Sequence, residues 1–229
     1  MRIHQEQVLD RAAADGFAPT RIALLPGAYQ APEDFVRAGF VTSVRARQLP
    51  VDLVLVDLGF EHVADRSVLA RLHERTVEPA RASGCSNLWL AGISLGGFVA
   101  LNYAACYPGQ VDGLCLLAPY LGNRIVTGEI ASAGGVDSWQ PGPLAEQDDE
   151  RRVWSLIKSR APAPQLFLGF GRSDRFAGDH RLLASVMSET SVEVVEGGHA
   201  WPVWARLWDR FLDRNLVGVG MSDRREVHG

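Results

Sequence analysis

From Ala82 to Val111 the chain carries no charged residue. A run that long has to leave water, either into a bilayer or into the middle of a folded domain. Gly92, Gly96, Gly97 and Pro108, with the polar Ser83, Ser86, Asn87 and Asn102, argue against a membrane span. The remaining reading is a strand, a tight turn and a helix at the centre of a parallel sheet. Such strands are covered on both faces and read as continuous apolar runs. The segment divides accordingly into a strand over 87–93, a turn at Gly92-Ile93-Ser94-Leu95-Gly96, and a helix over 95–107.

That pentapeptide has the form G-x-S-x-G. A serine on a sharp strand-to-helix turn presents its hydroxyl clear of the backbone. The flanking glycines have no Cβ to obstruct the turn or the close approach of neighbouring chain. Ser94 is therefore a candidate nucleophile.

The rest of the chain repeats the alternation. Strands are expected at 21–26, 51–57, 114–118, 165–170 and 192–195, besides 87–93. Helices are expected at 34–47, 69–81, 95–107, 179–187 and 203–214. This order predicts an α/β fold: a three-layer sandwich with a mostly parallel sheet of about six strands and helices on both faces. The first twenty residues are expected to hold a helix over 5–14, and 218–229 a loose tail. Ligands in such sheets collect beyond the carboxyl ends of the strands. Residues 120–162 are too long for a plain connection and are expected to form a small lid inserted in one domain spanning 1–229. Within it, 146–160 reads as an exposed helix of mixed charge.

With 47% hydrophobic and 22% charged residues in 229, the chain can bury a sizeable core. A net charge of −4 without a basic, aromatic-rich stripe excludes a nucleic-acid partner. Cys85, Cys106 and Cys115 are three in number, with no metal-ligand spacing, as expected of reduced thiols in the cytoplasm. Met1 to Glu6 shows no apolar core of a secretory signal, and no membrane association is expected.

A serine hydroxyl needs a general base. Of the six histidines, only His199 sits in a small-residue loop just after an expected strand, in Glu196-Gly197-Gly198-His199-Ala200. His62 is the runner-up. His4, His73, His180 and His228 read as surface or packing residues. The imidazole needs an acceptor that fixes its tautomer. Asp174 follows the strand at 165–170 and is favoured over Asp179, which reads as the cap of the next helix. Donors for an oxyanion are expected from the Leu95 N–H and from Ala28 or Tyr29 in the loop after the first strand.

With Gly92-Ile93-Ser94-Leu95-Gly96-Gly97, Gly171-Arg172-Ser173-Asp174 and Gly198-His199 in that order, the chain from 21 to 216 resembles the α/β-hydrolase superfamily. Asp57-Leu58-Gly59-Phe60 resembles a further family turn. Two features depart from the pattern. Pro26-Gly27 stands where members often have His-Gly, and the antiparallel first hairpin is not evident. The resemblance implies a serine hydrolase of small to medium esters or thioesters, working through an acyl-enzyme on a small-molecule acyl substrate, with no metal or organic cofactor. Tyr29, Tyr120, Trp139 and Trp201 are candidate walls of an apolar pocket, or else packing residues. Arg124 and Arg172 would meet an acidic group or solvent. The alternative function is a non-catalytic α/β-hydrolase-like protein that binds a small ligand.

Overall fold

A computed structural model of the protein describes residues 7–13, 16–59, 62–63, 65–160 and 164–214. The apolar runs pair into one sheet of seven strands among the described residues. They are β1 (Gln7–Asp10), β2 (Thr20–Leu25), β3 (Val51–Val56), β4 (Asn87–Ile93), β5 (Gly113–Leu117), β6 (Gln165–Gly171) and β7 (Val192–Val195). Their spatial order is β1-β3-β2-β4-β5-β6-β7. All neighbours are parallel except β1, which runs antiparallel to β3 with Gln7 opposite Val56.

The mostly parallel sheet agrees with the expected one of about six strands, with β1 added at its edge, while the helix expected over 5–14 is corrected in the described part. β1 is an edge strand, and Val8 and Leu9 each remain 39% exposed. Its place is set by distant partners rather than by its own pattern. The buried Asp52 carboxylate accepts the N–H groups of Ala12 and Ala18, both at 2.9 Å, and Arg45 binds the Asp10 side chain. The expected tail at 218–229 lies outside the described residues.

Successive side chains of a strand point to opposite faces. Leu88, Trp89 and Leu90 of β4 are all fully buried, so both faces of the sheet are covered. The described helices are α1 (Pro32–Arg37), α2 (Phe40–Ala46), α3 (Val68–Leu72), α4 (Glu78–Ala82), α5 (Leu95–Cys106), α6 (Arg124–Ser132), α7 (Asp149–Ser159), α8 (Ala177–Ala184) and α9 (Trp201–Asp213). The single helix expected over 34–47 is two, because Gly39 takes a left-handed conformation (φ 85°) between them. A π-helical turn, His73–Val77, joins α3 to α4.

Parallel register brings the carboxyl ends of β2, β4, β5, β6 and β7 to one rim. Leu25 stands opposite Gly92, Ile93 opposite Leu117, Leu117 opposite Gly169, and Gly171 opposite Val195. Residues 120–160 leave from this rim and fold into α6 and α7. The mixed-charge helix is not simply exposed, since it buries Val153, Trp154 and Ile157. Its Trp154 indole donates to the Leu121 carbonyl at 2.7 Å, and α7 packs on α5.

Candidate active site

Ser94 sits where β4 turns into α5. Its backbone lies at φ 50°, ψ −112°, a conformation that costs a non-glycine residue about 1–3 kcal/mol. Hydrogen bonds hold it there. Its N–H donates to the Leu117 carbonyl at 3.1 Å. Its own carbonyl accepts the amides of Gly97 (3.1 Å), Phe98 (3.2 Å) and Tyr120 (2.9 Å). Backbone crowding excludes side chains on either side. A Cβ at Gly92 would stand 2.3 Å from the Gly96 carbonyl carbon, and one at Gly96 would stand 2.1 Å from the Leu25 oxygen. The second approach seats the loop after β2 against the start of α5.

The loops after β6 and β7 are laced together in the same way. Arg172 N–H donates to Val195 at 2.8 Å and Ser173 N–H to Gly197 at 2.9 Å. A Cβ on Gly171 would meet the Gly197 oxygen at 2.3 Å. This lacing sets Asp174 beside His199. Asp174 Oδ2 lies 2.8 Å from His199 Nδ1, and His199 Nε2 lies 3.0 Å from Ser94 Oγ. A carboxylate can only accept, so Nδ1 carries the hydrogen and Nε2 turns its lone pair to the serine hydroxyl. Ser94, His199 and Asp174 thus form one hydrogen-bonded row.

Burial alone would raise the Asp174 carboxyl. The hydrogen bonds from His199 and from the Phe176 amide outweigh it and hold the group below its ordinary value. Asp179 behaves oppositely, because burial raises it despite a bond with Thr127 and the nearby Arg124. It does not cap the helix. Phe176 holds the N-cap position of α8, and Asp179 lies inside the first turn, facing α6.

Two aromatic rings that the sequence reading did not single out flank the imidazole. Phe176 meets His199 edge-on at 5.3 Å and Trp204 does so at 5.0 Å. Phe176 also touches Tyr120 at 6.0 Å, and Tyr120 touches Phe98 at 5.6 Å. The only local signal for either residue was proximity: Phe176 is two positions from Asp174, and Trp204 lies on the helix that follows His199.

The other predicted residues fall in different places. Leu95 opens α5, where amides have no intrahelical acceptor. Ala28 and Tyr29 form a turn closed by Gln30 N–H on the Gly27 carbonyl at 3.2 Å. The Gly27 N–H is taken by the Gln30 side chain at 2.8 Å. Tyr29 has φ 60° and is 88% exposed. The Tyr120 hydroxyl donates to Glu150 of α7 at 2.8 Å. Trp139 is only 4% exposed, within the packing of the 120–162 segment, and Lys158 binds its carbonyl. Trp201 packs edge-on against Phe35, Phe40 and Trp204. Arg172 is paired with Glu196 at 2.7 Å, and Arg124 is exposed. His62 contacts Ser67 Oγ at 3.3 Å. Among the described residues, no three His, Cys, Asp or Glu side chains gather as metal ligands. Among them, too, no helix is long and apolar enough to cross a membrane.

Residues 76–213, which include Ser94, Asp174 and His199, match the family model Esterase, described as "Putative esterase". Comparison with the curated proteins gives no match. Among solved structures, the chain is similar to S-formylglutathione hydrolase FrmB of Staphylococcus aureus. The identity is 11%, with 91% of this chain and 88% of that one covered, at a TM-score of 0.61. It is also similar to FphF of Staphylococcus aureus, a fluorophosphonate-binding serine hydrolase (11% identity, 91% of each chain, TM-score 0.59). A hydrolase of Thermoplasma acidophilum described as CIB-like shares 20% identity over 87% of each chain, at a TM-score of 0.55. At these identities the likeness is one of fold.

Proposed function

The chain belongs to the Esterase family and has the α/β-hydrolase fold, and from that premise we propose that it is a serine hydrolase cleaving small to medium esters or thioesters. The observation that carries this reading is the row of Ser94, His199 and Asp174, with contacts of 3.0 Å and 2.8 Å. A reactive serine needs a base within hydrogen-bond reach and a third group to orient that base.

In the proposed reaction, Ser94 Oγ attacks the acyl carbonyl carbon while His199 Nε2 takes its proton. The carbonyl oxygen becomes an oxyanion, held by the Leu95 N–H and by Ala28 or Tyr29. The tetrahedral adduct collapses, and His199 gives its proton to the departing alcohol or thiol. Water then enters, loses a proton to His199 and attacks the acyl-serine. Collapse of the second adduct releases the acid and returns the proton to Ser94. Asp174 keeps the ring oriented and stabilises its charged form throughout.

Residues 120–162 act in this reading as a lid over the single domain. The contacts of Tyr120 with Phe98, Phe176 and Glu150 support that role, since they join the segment to the surroundings of His199. Tyr120 and Trp201 then border the apolar acyl site, while Trp139 serves the lid's own packing. Three free thiols fit a reducing compartment, so the cytoplasm is the proposed location.

The test is a panel of p-nitrophenyl esters and acyl thioesters of increasing length, run with wild type and Ser94→Ala, beside labelling by a fluorophosphonate. Wild type should turn over short and medium chains and label at Ser94, and the variant should do neither. Turnover that survives Ser94→Ala sinks the reading.

A further inference from the structure

Behind the row lies a histidine that the proposed chemistry does not use. His180, on α8, is 0% exposed. Its Nε2 is 2.9 Å from the Pro119 carbonyl oxygen, while its Nδ1 is buried without a hydrogen-bond partner. A carbonyl only accepts, so Nε2 carries the hydrogen and Nδ1 is a bare acceptor. The ring's aromatic neighbours, Phe170 at 5.0 Å and Phe176 at 6.4 Å, offer that acceptor no polar donor. Leucine would fill the volume without stranding a lone pair. What the imidazole adds is one donated hydrogen bond.

That bond falls on a consequential peptide group. The Pro119–Tyr120 peptide accepts from His180 through its carbonyl and donates through its N–H to the Ser94 carbonyl at 2.9 Å. The other end of the path begins at the acid. Asp174 Oδ1 accepts the Phe176 N–H at 2.9 Å, and the Phe176 carbonyl accepts the His180 N–H at 3.0 Å. Asp174 and Ser94 are therefore joined twice, once in front through His199 and once behind through Phe176, His180 and the Pro119–Tyr120 peptide. The rear path has little slack, since a Cβ on Gly97 would stand 2.8 Å from Pro119 Cβ.

We propose that His180 is a positioning residue: by donating to Pro119 it fixes the span between the Asp174 loop and the Ser94 turn, and so the reach of His199 to the serine. The inference rests on the reading of Ser94 as nucleophile. Burial, acting against the Pro119 hydrogen bond and Asp174, depresses the imidazole to about 4, which keeps the donor neutral at ordinary pH.

Two variants and one measurement on the wild type test it. His180→Leu removes the donor. His180→Gln keeps an N–H at about the depth of Nε2. With p-nitrophenyl acetate, kcat of His180→Leu should fall about 10- to 100-fold with KM within about threefold, since a displacement near 1 Å has that effect on rate. The rate of fluorophosphonate labelling should fall in parallel, and His180→Gln should recover kcat to within about threefold of wild type. A folded His180→Leu with wild-type kcat overturns the proposal, as does a His180→Gln no better than His180→Leu. If His180→Leu does not fold, 15N spectra of histidine-labelled wild type decide. A neutral Nε2–H tautomer at pH 7 supports the donor role, and an Nδ1–H tautomer or a charged ring refutes it. Ser94→Ala separates the two layers: activity surviving that change removes the nucleophile reading itself. An inactive Ser94→Ala beside a fully active His180→Leu removes only the role of His180.

Discussion

Asp174 divides its two carboxylate oxygens between a side chain and the backbone: Oδ2 lies 2.8 Å from His199 Nδ1, and Oδ1 accepts the Phe176 amide at 2.9 Å. The backbone bond fixes the rotation of the carboxylate, and that rotation decides which lone pair meets the imidazole. The residue is buried, and an unpaired carboxylate there would be costly. Its two bonds therefore keep it charged and aimed at once.

Asp174→Asn keeps the shape and the oxygen for Phe176, but it lets the amide donate toward Nδ1. The ring would then present its hydrogen on Nε2, facing Ser94, where a lone pair is needed. We expect kcat to fall by about 10³- to 10⁴-fold with the fold intact. Steady-state rates on a p-nitrophenyl ester beside a thermal melt check this. A loss under tenfold would mean that His199 is oriented without the acid.

The strain at Ser94 makes a prediction about stability that is separate from catalysis. At φ 50° a Cβ is disfavoured, so Ser94→Ala and Ser94→Gly both lose the hydroxyl but only glycine relaxes the backbone. Ser94→Gly should be more stable than Ser94→Ala by about 1 kcal/mol, against the opposing loss of glycine entropy in the unfolded chain. Urea midpoints of the two variants measure it. Equal midpoints, or a more stable alanine variant, would show that the turn carries no strain.

The central strands were legible because burial on both faces writes itself into sequence as an uncharged run, as in Leu88 to Ile93. Ser94, His199 and Asp174 were legible from their places: Ser94 and Asp174 stand a few residues after buried strands, and His199 follows the shorter, partly buried β7, with glycines in all three loops. What was not legible depended on meetings between distant segments. Arg45 binds Asp10 of β1 and Asp52 holds the chain after it at Ala12 and Ala18, at sequence separations of 34 to 40 residues, and nothing within Gln7–Asp10 announces them. Phe176 and Trp204 acquire their places only when two loops and a helix close around one ring. The amphipathic stripe of Val153, Trp154 and Ile157 was hidden by the charges on the opposite face of the same helix.

His180 should leave a mark on acid stability. In the unfolded chain a histidine titrates near 6.5. In the folded chain burial depresses His180 to about 4, with the Pro119 hydrogen bond and Asp174 raising it and His199 and Arg181 lowering it. Between those values the unfolded state binds the extra proton, so stability falls as pH drops from about 6.5 toward 4 and levels off below. The loss reaches about 3 kcal/mol at the low end of that window. Asp174 acts in a separate range. Its folded value lies below the ordinary 3.8, so its contribution is complete above that pH and is lost only as pH falls further. Urea denaturation at pH 7, 5.5 and 4.5 should show wild type losing stability more steeply than His180→Gln, which has no group to protonate at that position. Parallel curves for the two proteins would assign the acid sensitivity to other groups.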